Sequence, residues 1–162
     1  MSYFTTQSQN IRNKQGLIKS LLFRPCLLPL YFCLPFLLAC QSEEELKREK
    51  YFVAGQQLYK EHCSNCHQTD GKGLAALYPP INGSDYLRNK EKVICLIRHG
   101  LSDSIVVNGR PYNRPMPANP QLANIEVAEI VTYIYNEWGN EKTISEVKDV
   151  GKVLDQCVPQ TP

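Results

Sequence analysis

Apolar positions recur at intervals of three and four in the second half of the chain. Val127, Ile130, Val131, Ile134 and Trp138 would share one face of a helix running from about Ile125 to Trp138. Asn124 is placed to cap its start, Glu126 suits its positive end, and Gly139 can stop it. Val93, Ile94 and Ile97 mark a shorter helix of about Glu91 to His99, ended by Gly100. Val147, Val150, Val153 and Leu154 line one face of a further helix, which Thr143-Ile144-Ser145-Glu146 would open as a capping box. Ile105-Val106-Val107 and Pro111-Tyr112 flank Asn108-Gly109, a pair that favours a tight hairpin turn. Ahead of all these, the polar and charged stretch from Gln41 to Lys50 runs into a helix of about Glu43 to His62. The expected class is mostly α with one short hairpin.

The front of the chain follows a different pattern. Pro25 to Ser42 is an uncharged run of 18 residues, at the lower edge of what spans a membrane, and it contains three prolines. Arg12, Lys14, Lys19 and Arg24 precede it, with no acid anywhere in residues 1–39. A basic start, a short apolar stretch and a small residue at its end fit a secretory signal better than a permanent helix. Leu37-Leu38-Ala39-Cys40 resembles the lipobox of bacterial lipoproteins, although Leu38 is a less usual occupant of its position. That resemblance implies cleavage before Cys40, a lipid on Cys40, and a mature chain of 123 residues held at a membrane by several acyl chains. An uncleaved helix with incidental cysteines is the competing reading, and either places the domain outside the cytoplasm. Gln41, in place of the aspartate associated with inner-membrane retention, slightly favours an outer membrane. Met1 to Ser20 is long for such a leader, which points to a start further into the chain.

Composition narrows the classes. The whole chain has 162 residues, 43% of them apolar and 21% charged, so it allows one domain with a tail and excludes wholesale disorder. The formal charge of +2 comes from the front end. Beyond it, 14 basic residues face 16 acids, which gives no support to a nucleic-acid surface.

Cys63-Ser64-Asn65-Cys66-His67 is the C-x-x-C-H pattern, which in an exported chain points to covalent c-type haem attachment. Two thiols must add to the two vinyl groups on one porphyrin edge, and two intervening residues let the chain arch across it. Cys63 and Cys66 would form the thioethers, and His67 would bind the iron. A thioredoxin-like pair wants a strand before the motif, yet the residues here read as a helix. Structural zinc wants a second ligand pair, and none is present. A bare Cys63–Cys66 disulfide would leave His67 unexplained. For the sixth iron position the candidates are His99 and Met116. Met116 stands in Asn113-Arg114-Pro115-Met116-Pro117, bracketed by prolines and away from any helical stripe, and is the better candidate.

Longer stretches extend this. Gly55-Gln56-Gln57-Leu58-Tyr59-Lys60-Glu61-His62-Cys63 resembles the amino-terminal helix of class I c-type cytochromes. Tyr78-Pro79-Pro80-Ile81-Asn82-Gly83 resembles their loop in which a proline carbonyl accepts the histidine N–H, and Ile105 to Asn113 with Met116-Pro117 resembles the methionine-ligand loop of bacterial mono-haem members. Glu129 to Asn140 resembles their carboxy-terminal helix. The resemblance implies the cytochrome c fold, three to five helices around one covalent haem c, with a hairpin before the methionine loop. It implies that the terminal helices cross, with Gly55 admitting Tyr133 or Trp138. The domain organisation expected is a lipoprotein-type signal over 1–39, a tether over 40–50, the cytochrome c domain over 51–140 and a helical extension over 141–162.

Cys95 and Cys157 remain. In an oxidising compartment they invite a disulfide that would pin the added helix to the middle one; two unpaired thiols, or pairing with a partner, are the alternatives. The function expected is one-electron transfer between a redox-protein donor and acceptor by a membrane-tethered carrier, as a shuttle or as a subunit of a respiratory chain. Neither a nucleic acid nor a small-molecule substrate is expected. The rival is a haem enzyme or sensor, peroxidase or gas-binding, with a labile sixth ligand; the single C-x-x-C-H counts against a di-haem peroxidase.

Overall fold

Three acids in the first turn and Lys60 and His62 in the last complement the dipole of a 20-residue helix, α1 (Glu43–His62). The computed structural model describes residues 42–157, so the expected signal over 1–39, Cys40 and the last five residues lie outside the described residues. After α1 come a single turn, α2 (Ser64–His67), a 3-10 turn (Asp85–Arg88) and α3 (Lys90–His99). The hairpin β1 (Ile105–Val107) and β2 (Arg110–Tyr112) follows, then α4 (Asn124–Glu137) and α5 (Val147–Gln156). The described chain is thus mostly α, with five α-helices. No helix among the described residues is long and apolar enough to cross a membrane.

The core forms where α1 crosses α4. A Cβ added to Gly55 would lie 2.0 Å from the Glu129 carbonyl oxygen and 2.9 Å from the Tyr133 Cβ, so only glycine lets the helices approach this closely. Phe52 and Tyr59 meet Tyr133 with ring centroids 5.2 and 5.4 Å apart, and Trp138 joins Tyr59 at 5.2 Å. Such tilted pairs contribute about 0.5–1.5 kcal/mol each beyond their buried area. The expected partner of Gly55 is therefore Tyr133, while Trp138 stacks on Gly71, where a Cβ would lie 2.8 Å from its indole. α4 is buried on more than the expected face: every residue from Val127 to Tyr135 except Glu129 is buried. Thr132 is tolerated there because its hydroxyl donates to the Ala128 carbonyl (2.8 Å) and accepts the Ser145 N–H (2.9 Å).

Two helix starts differ from expectation, each because a polar side chain is used elsewhere. Asn124 is the first residue of α4 rather than its cap; its amide oxygen accepts from Arg98 (2.9 Å), and Ala123 takes the cap position with its N–H on the Glu126 carboxylate (2.6 Å). The capping box at Thr143–Glu146 does not form. Ser145 is tied to Thr132, Glu146 pairs with Lys47 at 2.7 Å, and α5 begins only at Val147. The hairpin matches expectation: Ile105 faces Tyr112, and Asn108 and Gly109 both take positive φ, 50° and 75°.

Cys95 and Cys157 form a disulfide with Cα atoms 5.7 Å apart, joining α3 to the end of α5 across 62 residues of chain. Closing a loop of that length contributes up to about 4 kcal/mol in a chain-entropy account. Replacing both cysteines by serine is expected to lower the unfolding free energy by about 2–4 kcal/mol in a urea titration. An unchanged midpoint would mean that packing alone holds α5 in place.

Candidate functional site

The helical character of α1 continues into the C-x-x-C-H motif. Cys63 N–H bonds to the Tyr59 carbonyl (2.9 Å), and Cys66 and His67 N–H both reach the Cys63 carbonyl (3.2 and 3.0 Å). A helix, not a strand, therefore precedes the motif. One turn places residues i, i+3 and i+4 on the same side, so Cys63, Cys66 and His67 face together. Neither cysteine is in a disulfide. Burial pushes the Cys63 thiol up to about 12, with the Cys66 charge adding to it, which keeps this thiol neutral.

His67 is oriented through its far nitrogen. Nδ1–H donates to the Pro79 carbonyl at 2.9 Å, leaving Nε2 as the nitrogen with the lone pair. Burial holds the imidazole below its ordinary pKa, against the upward pull of the Pro79 carbonyl, so the ring is a neutral donor. Gly73 makes this contact possible: its φ is +69°, and a Cβ there would fall 2.4 Å from the Tyr78 oxygen and 2.6 Å from the Pro79 oxygen. Its N–H closes the turn onto the His67 carbonyl (2.9 Å). The loop is tied further where Ile81 and Asn82 N–H both reach the Gly71 carbonyl (2.7 and 2.9 Å).

Met116 is held by its backbone. Its N–H and carbonyl pair with Leu101 in an isolated antiparallel bridge (2.8 and 2.9 Å). Gly100 lets the two segments meet, since a Cβ there, at φ +70°, would lie 2.4 Å from the Met116 carbonyl oxygen. Asn119 closes the loop from the other side, with its backbone N–H on the Arg98 carbonyl and its side chain on the Ile97 carbonyl, both at 3.1 Å. The residues that position the methionine are thus Gly100, Leu101 and Asn119, none of which the sequence reading singled out for this role. Gly100 directly after a helix was the available signal.

A cavity of about 620 Å³, counting its open mouth, lies between these two loops. Cys63, His67 and Met116 all line it, and its remaining wall is nearly all apolar, including Val93, Leu96, Ile97, Val107 and Ile134. Cys66, Tyr78 and Arg114 line an adjoining region that shares Cys63, His67 and Met116. His99, the other candidate for the sixth position, is not among the lining residues. This arrangement fits a haem. Two thiols stand beside an imidazole whose orientation is fixed, a thioether lines the same space, and the apolar wall suits a large flat apolar group.

Comparison with known proteins points the same way. A family signature described as cytochrome c matches residues 52–138. Cytochrome c-552 of Thermus thermophilus is 31% identical over 99 residues, covering 58% of this chain and 75% of that protein. The cytochrome c subunit of the alcohol dehydrogenase (quinone) of Gluconacetobacter polyoxogenes is 32% identical over 114 residues, covering 66% of this chain and 24% of that subunit. The gluconate 2-dehydrogenase cytochrome c subunit of Pantoea cypripedii is 32% identical over 103 residues, with 61% and 23% covered. This chain therefore spans about a quarter of the length of those dehydrogenase subunits.

Proposed function

The chain belongs to the cytochrome c family, whose members bind haem and carry single electrons rather than act as enzymes, and from that premise we propose a membrane-tethered, mono-haem c-type carrier. Cys63 and Cys66 would hold the haem through thioethers, and His67 Nε2 and the Met116 sulfur would bind its iron. A haem bound there supplies an iron that changes by one electron at a time. The Pro79 carbonyl fixes the His67 ring, and the Leu101 bridge fixes Met116, so the site changes little in shape between charge states. The thioether and the apolar wall of Val93, Leu96, Ile97, Val107 and Ile134 disfavour the more highly charged oxidised state and raise the potential.

The observation that carries this reading is that His67 and Met116 line one cavity beside two thiols outside any disulfide. Two protein ligands leave no position open for a substrate, which favours a carrier over a peroxidase or gas sensor. Export by residues 1–39 and a lipid on Cys40, outside the described residues, would hold the domain at a membrane surface facing the periplasm, with the outer membrane slightly favoured. Donor and acceptor are redox proteins. The likeness to dehydrogenase cytochrome c subunits supports a role as a complex subunit as well as a shuttle.

Visible absorption of the exported protein tests the reading. A c-type reduced spectrum, a weak far-red methionine–iron band when oxidised, and no response to carbon monoxide are expected. A high-spin spectrum or prompt carbon monoxide binding would instead mean an open iron, and the carrier assignment would give way to gas or peroxide chemistry.

A further inference from the structure

Gln68, the residue directly after His67, has φ 63° and ψ 160°. That is a region essentially reserved for glycine, and a side chain there persists only where its surroundings over-determine it. Three hydrogen bonds do so. Gln68 N–H reaches the Ser64 carbonyl (2.9 Å), and the Gln68 carbonyl accepts from Gly71 N–H (3.2 Å) and from the Tyr59 hydroxyl (2.7 Å). The Tyr59 bond comes from outside the turn. Tyr59 is fully buried, and its ring is fixed between Tyr133 and Trp138 at 5.4 and 5.2 Å. Burial raises the phenol well above its ordinary pKa, so the hydroxyl remains a donor.

We propose that the Tyr59 hydroxyl is a positioning group for His67, acting by clamping Gln68 in a backbone conformation that glycine alone adopts freely. This rests on His67 being an axial ligand. The Gln68 backbone sets the direction in which the chain leaves the histidine. From there it turns through Gly71 to Gly73, whose N–H holds the His67 carbonyl, and on to Pro79, whose carbonyl holds Nδ1–H. Without the clamp, Gln68 relaxes, the turn loosens, and the bond from His67 to Pro79 weakens. A less firmly hydrogen-bonded imidazole is a poorer donor to iron, so the oxidised state loses support and the potential rises.

A double-mutant cycle on the exported haem protein tests this through the exchange rate of His67 Nδ1–H, followed by its hyperfine-shifted proton resonance in the ferric state. Tyr59→Phe keeps the ring and removes the hydroxyl; it is expected to speed exchange about tenfold, the scale of one lost hydrogen bond, and to raise the potential. Gln68→Gly alone should leave both near wild type. Tyr59→Phe combined with Gln68→Gly should return exchange to within about twofold of wild type, because glycine needs no clamp. The proposal is overturned if Tyr59→Phe exchanges like wild type, or if the double variant is as fast as Tyr59→Phe alone. The absence of any hyperfine-shifted His67 resonance in the wild-type protein would refute the ligand assignment itself, and the proposal with it.

Discussion

Met116→Ala is expected to keep the haem covalently attached while opening the iron. Cys63 directly follows α1, Cys66 and His67 lie in α2, and the hydrogen bonds that hold this segment do not involve the methionine side chain. The Leu101 bridge uses only the backbone of residue 116, so alanine preserves the loop. What disappears is the thioether. The oxidised protein should lose its far-red band, and the reduced protein should bind carbon monoxide. The potential should fall by a sizeable part of the about 0.8 V over which axial ligands set haem potentials. An unchanged spectrum would remove Met116 from the iron and return His99 to consideration.

Replacing Cys63 and Cys66 together by alanine has the other large effect. No haem should remain attached after denaturing electrophoresis, and far-ultraviolet circular dichroism should show no cooperative melt. The reason lies in the cavity of about 620 Å³ between the two loops. Only about 90 Å³ of it is comparable to an enclosed cavity, and at about 24 cal/mol per Å³ leaving that part empty costs about 2 kcal/mol. Small domains have only about 5–15 kcal/mol in total. Val93, Ile97, Val107 and Ile134 would then lose the surface that completes their packing. A cooperative melt in the doubly substituted protein would show that the core closes without the haem.

Much of this architecture was legible in the sequence wherever a feature is local. C-x-x-C-H, the Asn108-Gly109 turn, and helix lengths set by charge and apolar spacing need no knowledge of distant residues. The two displaced helix starts show where that fails. Asn124 and the Thr143–Glu146 stretch have the right side chains for caps, but Arg98, Lys47 and Thr132 compete for the same groups across the fold. The site divides in the same way. Cys63, Cys66 and His67 lie within five consecutive residues and could be read directly. By contrast, the Leu101–Met116 bridge and the choice of Pro79 over Pro80 depend on where two loops meet. Gln68 carried no mark in the sequence, since any residue can follow the histidine and only the backbone angle reveals its strain.

The crossing at Gly55 also governs the order in which the molecule can assemble. Its partners, Glu129 and Tyr133, lie more than seventy residues further along the chain. Closing so long a loop costs entropy before any contact rewards it, and folds dominated by such pairings form slowly. On the export proposed above, α1 would emerge early and have nothing to pack against until α4 follows. During that interval Phe52 and Tyr59 are exposed, and the thiols of Cys63 and Cys66 remain accessible. The covalent attachment proposed above would have its natural opportunity in this window, on an extended chain, before α4 arrives and Ile134 closes the wall of the site.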